Sequence, residues 1–122
     1  MILLTHNMMV SPMKEASKSI PLKIEVEEMQ EVAKDFNQGF LENIIDRLDW
    51  PAFVEAAALL NQEGLPASKE LLDKSDELTM KKLHHALMEV DVVTGNLVCT
   101  ETGRKFPIAA GIPNMLLNQD EL

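Results

Sequence analysis

Apolar and polar positions follow two periods along this chain, and the change of period divides it. Leu22, Ile24 and Val26 alternate with Lys23, Glu25 and Glu27, which predicts a half-buried strand over residues 21–28. Pro21 suits the start of such a strand or an edge position. Before it, Ile2–Leu4 reads as a short strand, Met8-Met9-Val10 follows a bend, and Ser11 to Ser19 is a polar loop. After it the period becomes helical. Phe40, Leu41, Ile44, Ile45 and Leu48 fall on one face, with Asn37 as N-cap and Phe36 and Leu41 at the two positions of a hydrophobic staple. Asp49 caps a second helix with Pro51 in its first turn and the stripe Trp50, Phe53, Val54, Ala57 and Leu60; Gly64 and Pro66 end it. With almost no loop between them, the two helices are expected to form an antiparallel hairpin. Ala67 to Lys74 is a turn or a loop. Ser75 is the expected cap of a third helix, which turns Met80, Leu83, Leu87 and Val90 to the core, with His84 beside that stripe and His85 opposite.

Near Met88 the period returns to two. Gly95-Asn96 separates Met88, Val90 and Val92 from Leu97-Val98-Cys99 and predicts a hairpin turn. Thr102-Gly103-Arg104 is a second turn, followed by Phe106-Pro107-Ile108, and Gly111 to Asn114 leads into Met115-Leu116-Leu117. Pro113 has no N–H for a ladder, so the strand after it is expected at a sheet edge. An apolar edge there is a docking surface or an aggregation hazard. The order strands, helices, strands predicts an α+β fold. Residues 1–33 and 88–122 would build one small antiparallel β domain, with a helical domain inserted at 34–87.

Composition narrows the function. The chain has 122 residues, eight methionines and no tyrosine, so its core is aliphatic and methionine-rich. The net charge of −9 is spread evenly: 5 basic and 10 acidic residues up to position 60, and 6 basic and 10 acidic after it. Without a basic cluster, direct binding to nucleic acid is not expected. Met1 to Thr5 is cut short by His6 and Asn7 and follows no basic region, so it does not read as a signal peptide. No run approaches membrane-spanning length. A soluble, intracellular chain is expected, without membrane association.

Candidate chemistry is sparse. His84 and His85 point about 100° apart on a helix and cannot share one metal ion. Cys99, the single cysteine, lies in a Val-Cys-Thr strand, where a cysteine is usually a small buried apolar residue. A nucleophilic Cys99 would need a base, and His84 is the candidate. Gly103-Arg104-Lys105 is a basic tripeptide, too small for a nucleic-acid site. The residues themselves offer interaction surface and no catalytic constellation.

Several stretches together carry a resemblance: Leu3-Leu4-Thr5-His6-Asn7-Met8, Pro21-Leu22-Lys23-Ile24-Glu25, Asp35-Phe36-Asn37, Asp49-Trp50, Leu83-His84-His85-Ala86-Leu87, Cys99 through Ile108, and Gly111-Ile112-Pro113-Asn114-Met115-Leu116-Leu117. In this order the chain resembles the eukaryotic multifunctional methyltransferase subunit family, activators of tRNA, rRNA and release-factor methyltransferases. The resemblance implies a zinc-ribbon-like β domain made from both chain ends, with an inserted helical domain. It implies no catalytic activity and no cofactor of its own. Its partners would be class I methyltransferases, held as heterodimers, kept soluble and helped to bind S-adenosylmethionine. Their substrates would be tRNA, small-subunit rRNA and the translation termination factor, and the location nucleus and cytoplasm. Docking would use strand addition and an apolar patch. By position the surface would comprise Asn7, Met8 and Met9 at one end and Ile112, Pro113, Asn114, Met115 and Leu116 at the other. Fungal members carry four zinc cysteines; the matching positions here are Ser11, Ala16, Cys99 and Thr102. One thiolate does not make a tetrahedral site, so no zinc is expected. Two alternatives stand beside this reading: a free-standing ribosome-assembly scaffold, and a small enzyme using Cys99 and a histidine.

Overall fold

The computed structural model describes residues 1–9, 22–117 and 119. Four antiparallel strands form one sheet in the order β1 (Lys23–Glu31), β2 (Val90–Val98), β3 (Lys105–Ala109) and β4 (Ile112–Pro113). Helices α1 (Leu3–Asn7), α2 (Gln38–Ile45), α3 (Trp50–Leu59) and α4 (Glu77–His84) pack with it, and α2 to α4 fall in the chain between β1 and β2. This is the α+β class that the pattern predicts. The Ser11–Ser19 loop lies outside the described residues. Among the described residues no helix is long and apolar enough to cross a membrane.

The caps follow from short polar side chains placed before apolar stripes. Phe40 N–H donates to Asn37 Oδ1 at 2.9 Å and Ala52 N–H to Asp49 Oδ1 at 3.3 Å. The third expected cap is displaced by one residue. Asp76, not Ser75, starts α4: one carboxylate oxygen takes Leu78 N–H at 3.1 Å and the other takes the Thr79 hydroxyl at 3.0 Å. Ser75 is used by Asp73 instead, through its hydroxyl at 2.6 Å and its N–H at 2.9 Å. The 67–74 connection contains a single 3-10 turn, Lys69–Leu71. Rather than forming mainly a mutual hairpin, α2 packs on α4, and α3 packs on α1 and β1.

Three further elements differ from the sequence expectation. Ile2–Leu4 does not form a strand. Ile2 makes one bridge to Asp91, and His6 N–H then donates to Ile2 O at 3.2 Å, closing a helical turn that buries Leu3 and His6. Gly95-Asn96 is not a hairpin turn; β2 runs straight through it. Gly95 stands opposite Val26, and a Cβ there would lie 2.1 Å from the Glu25 carbonyl oxygen. The glycine is needed for close strand approach. Past it the register slips at Glu27 on β1 and at Val93 on β2. Finally, the return strand is Ile112–Pro113, and Met115–Leu117 does not continue it.

One continuous apolar core joins sheet and helices. Ile24, Val92, Leu97 and Phe106 from the sheet meet Leu41, Ile45, Phe53 and Leu60 from α2, α3 and their ends, and Met80, Leu83 and Leu87 from α4 and the π turn that follows it at His85–Glu89. Phe40, expected on the apolar face of α2, is exposed.

Candidate functional site

The sheet ends at β4, and the reason lies in two prolines. Ala110 (φ 52°) and Gly111 (φ 78°) make a tight two-residue turn, with Ala109 opposite Ile112 and Ile108 opposite Pro113. Asn114 N–H then donates to Pro107 O at 2.8 Å. Pro107 has no N–H to return to Asn114, so the ladder loses a bond there. Asn114 turns its side chain onto the chain ahead, accepting Leu116 N–H on Oδ1 at 3.1 Å.

Arg104 replaces the missing ladder. Its guanidinium lies over the Phe106 ring at 4.8 Å from the centroid, donates to Lys105 O, and reaches Leu116 O at 3.5 Å. One planar side chain thus spans the β3 backbone and the segment beside it. Exposure alternates along β4 and the segment that follows it. Ile112, Asn114 and Leu116 face solvent, while Pro113, Met115 and Leu117 are half-buried. Ile112 is 71% exposed and Leu116 78%. Met115 and Leu117 pack against the core. Among the described residues, the Met115 N–H meets no acceptor.

Of the N-terminal residues that the resemblance adds to the site, Asn7 is engaged by the start of α3. Asn7 forms a reciprocal pair with the backbone of Asp49, through Asn7 Nδ2 to Asp49 O and Asp49 N–H to Asn7 Oδ1, both at 3.0 Å. Asn7 thereby ties the end of α1 to the start of α3. Met8 is exposed and Met9 packs partly on the core. Among the described residues no hydrogen bond or ion pair joins Asn7–Met9 to Ile112–Leu116.

The turn between β2 and β3 is closed by the backbone. Cys99 N–H donates to Arg104 O at 2.8 Å, Gly103 N–H to Cys99 O at 2.7 Å, and Arg104 N–H to Thr102 Oγ1 at 3.3 Å. Cys99 is buried. Of the family's zinc positions, Ser11 and Ala16 lie outside the described residues, and Thr102 offers a hydroxyl already taken by a backbone N–H. This donor set does not fit a structural zinc ion. Among the described residues no three His, Cys, Asp or Glu side chains gather as a metal group.

The histidines serve the backbone. His6 Nε2 donates to Leu22 O at 2.6 Å and His84 Nε2 to Lys34 O at 3.0 Å, one carbonyl on each side of β1. A carbonyl only accepts, so Nε2 carries the proton in both rings. Burial holds the His6 pKa below its ordinary value, against the Leu22 hydrogen bond and the Glu55 charge. His85 bridges two carboxylates: Nδ1 to Glu89 at 2.9 Å and Nε2 to Glu31 at 3.2 Å. The Glu89 hydrogen bond, supported by Glu31, raises its pKa. The Lys34 N–H, then His85, hold Glu89 low. This clasp fastens the exit of β1 to the π turn; it contains no nucleophile. Sequence reasoning missed Arg104 and Pro107. Their signal was present as Gly103-Arg104 and Phe106-Pro107, but charge and turn counting give neither a bridging nor a ladder-ending role.

The chain matches the family model described as Trm112p-like protein over residues 3–111. It is 44% identical over 124 residues to the Arabidopsis thaliana protein named multifunctional methyltransferase subunit TRM112 homolog A, covering 100% of both chains. It is 41% identical to the TRM112-like multifunctional methyltransferase subunit of Mus musculus, covering 99% of this chain and 98% of that one. The trm112 subunit of Schizosaccharomyces pombe is 35% identical, with 100% of both chains covered. In fold, the chain is similar to a chain in the solved E. cuniculi Mtq2–Trm112 complex, which is described as methylating the eRF1 translation termination factor. The TM-score is 0.57 at 21% identity, and 95% of each chain is covered.

Proposed function

The chain belongs to the Trm112p-like family, and from that premise we propose that it is a non-catalytic activating subunit of class I S-adenosylmethionine-dependent methyltransferases. The observation that carries the reading is the open edge at Ile112–Leu116, where exposed apolar side chains flank a backbone donor that meets no acceptor among the described residues. A methyltransferase sheet adds its outer strand there, and Ile112, Pro113, Asn114, Met115 and Leu116 form the contact. Asn7, Met8 and Met9 contribute a second contact, of which Met8 is the exposed part. In this reading residues 1–33 and 88–122 form a zinc-ribbon-like docking unit that holds no zinc, and 34–87 form the helical unit that buttresses it. S-adenosylmethionine is bound by the partner and not by this chain. The partners modify tRNA, small-subunit rRNA and the release factor, in nucleus and cytoplasm. The chain itself does not contact nucleic acid or a membrane.

The test is co-expression with a class I methyltransferase of each substrate type, followed by size-exclusion chromatography and a cofactor-binding assay. A one-to-one complex, with cofactor bound only in its presence, supports the proposal. Failure with every candidate enzyme would overturn it in favour of a free-standing scaffold.

A further inference from the structure

In an antiparallel ladder the backbone groups of successive residues face opposite sides. Ile112 stands opposite Ala109, next to the tight turn, and Asn114 N–H donates to Pro107 O. Residues 112 and 114 therefore address β3 and 113 the open side; Met115 lies beyond the strand, its N–H meets no acceptor among the described residues, and continuing the alternation by one residue assigns it to the open side. The open side presents the Pro113 carbonyl with no donor beside it, then both the N–H and the carbonyl of Met115. Pro113 loses nothing inside its own sheet, because its missing N–H would have pointed outward. The same absence shapes what can pair from outside.

We propose that Pro113 is a specificity-determining residue of the docking edge: it withholds the edge from a second copy of this chain and leaves it for one extended strand of a methyltransferase. This rests on the docking reading above. A pair of identical edges related by a two-fold axis repeats every defect twice. With Met115 opposite Met115, each Pro113 faces residue 117 of the other copy, and both facing carbonyls lack a donor. With Met115 opposite Pro113, both Met115 carbonyls lack one. A different chain meets the gap once, and a strand that ends or bends opposite Pro113 does not meet it. The exposed Ile112 and Leu116 make such protection necessary, since they would otherwise favour association of copies. The partner strand is thereby specified: it supplies a donor to the Pro113 carbonyl and both backbone groups to Met115.

The experiment compares the full chain with Pro113→Ala and Pro113→Val by sedimentation velocity over a concentration series. Cooperative melting serves as the folding control, and the valine variant keeps the bulk and strand preference should alanine loosen the edge. Each protein is also titrated with one class I methyltransferase. Restoring the outward N–H should strengthen self-association roughly tenfold or more in both variants, the scale of the two hydrogen bonds a symmetric pair regains. The wild-type chain should stay monomeric and bind the enzyme. Monomeric variants, with wild type still binding the methyltransferase, would overturn the role of Pro113 and leave the docking reading intact. A wild-type chain that ignores the enzyme would bring down the docking reading and this inference with it. A wild-type dimer protecting the Met115 amide would overturn the inference alone.

Discussion

Replacing Gly95 by alanine separates the turn that sequence suggests from the mid-strand position that the structure gives. A Cβ at this position would meet Glu25 O at 2.1 Å, Glu25 C at 3.2 Å and Glu27 N at 3.4 Å. All three are backbone atoms of β1, so no side-chain rotation relieves the contact. Reaching ordinary contact at 3.4 Å requires the strands to part by about 1.3 Å (3.4 minus 2.1) at that point. Overpacking of this kind costs roughly 1–3 kcal/mol, and each ladder bond stretched beside Gly95 adds about 1 kcal/mol. Gly95→Ala should therefore cost roughly 3 kcal/mol or more, lowering the melting temperature by on the order of 10 °C. Gly103→Ala is the control. That glycine has φ +78° with nothing within 4 Å of the added carbon, so only the left-handed backbone is strained, at about 1 kcal/mol. Urea unfolding of both variants gives the comparison. Equal costs, or a Gly95→Ala cost below about 1 kcal/mol, would refute the strand assignment and restore the turn.

Three other outcomes follow from the same geometry. Asp76→Ala should cost about 1 kcal/mol and Ser75→Ala less, because Asp76 holds the first turn of α4; the reverse order in urea melts would move the cap back. The His85 clasp sets a pH dependence. His85 is raised above 6.5, so its contribution is complete below that value and fades as pH climbs through its folded pKa. Glu89 is lowered from 4.5, so its contribution is complete above that value and fades as pH falls through its folded pKa. The stability difference between wild type and His85→Gln should thus be greatest between pH 4.5 and 6.5 and shrink at higher pH, while the opposing effect of buried His6 cancels in the comparison. A difference that grows above pH 7 would contradict the clasp. Ile112→Asp and Leu116→Asp should each change stability by less than about 0.5 kcal/mol, since both side chains face solvent, yet abolish methyltransferase binding; a loss of folding would show that they belong to the core.

The sequence carried the helices well because their signals are local. Asn37 and Asp49 cap as expected, and Leu41, Ile45, Phe53 and Leu60 are buried at their predicted spacing. Non-local geometry was not legible. Gly-Asn looks like a turn in a short window, and only the backbone of β1 beside it makes Gly95 a mid-strand residue. The strand expected after Pro113 failed for a related reason: Pro107, on the neighbouring strand, withholds a donor, and no rule confined to residues 113–117 can register it. The methionines named for docking differ in depth. Met8 is exposed, whereas Met9 and Met115 rest on the core. The edge was therefore visible as composition, while its alternation and its Arg104 bridge required the fold.

The central claim is that the Ile112–Leu116 edge receives a methyltransferase strand, and the Met115 amide reports on it most directly. Amide hydrogen exchange measured by NMR on the labelled chain, free and bound to a class I methyltransferase, reads that single donor. Fast exchange is expected in the free chain, where the N–H meets no acceptor among the described residues, and strong protection in the complex. A stable complex in which the Met115 amide still exchanges as in the free chain would contradict it.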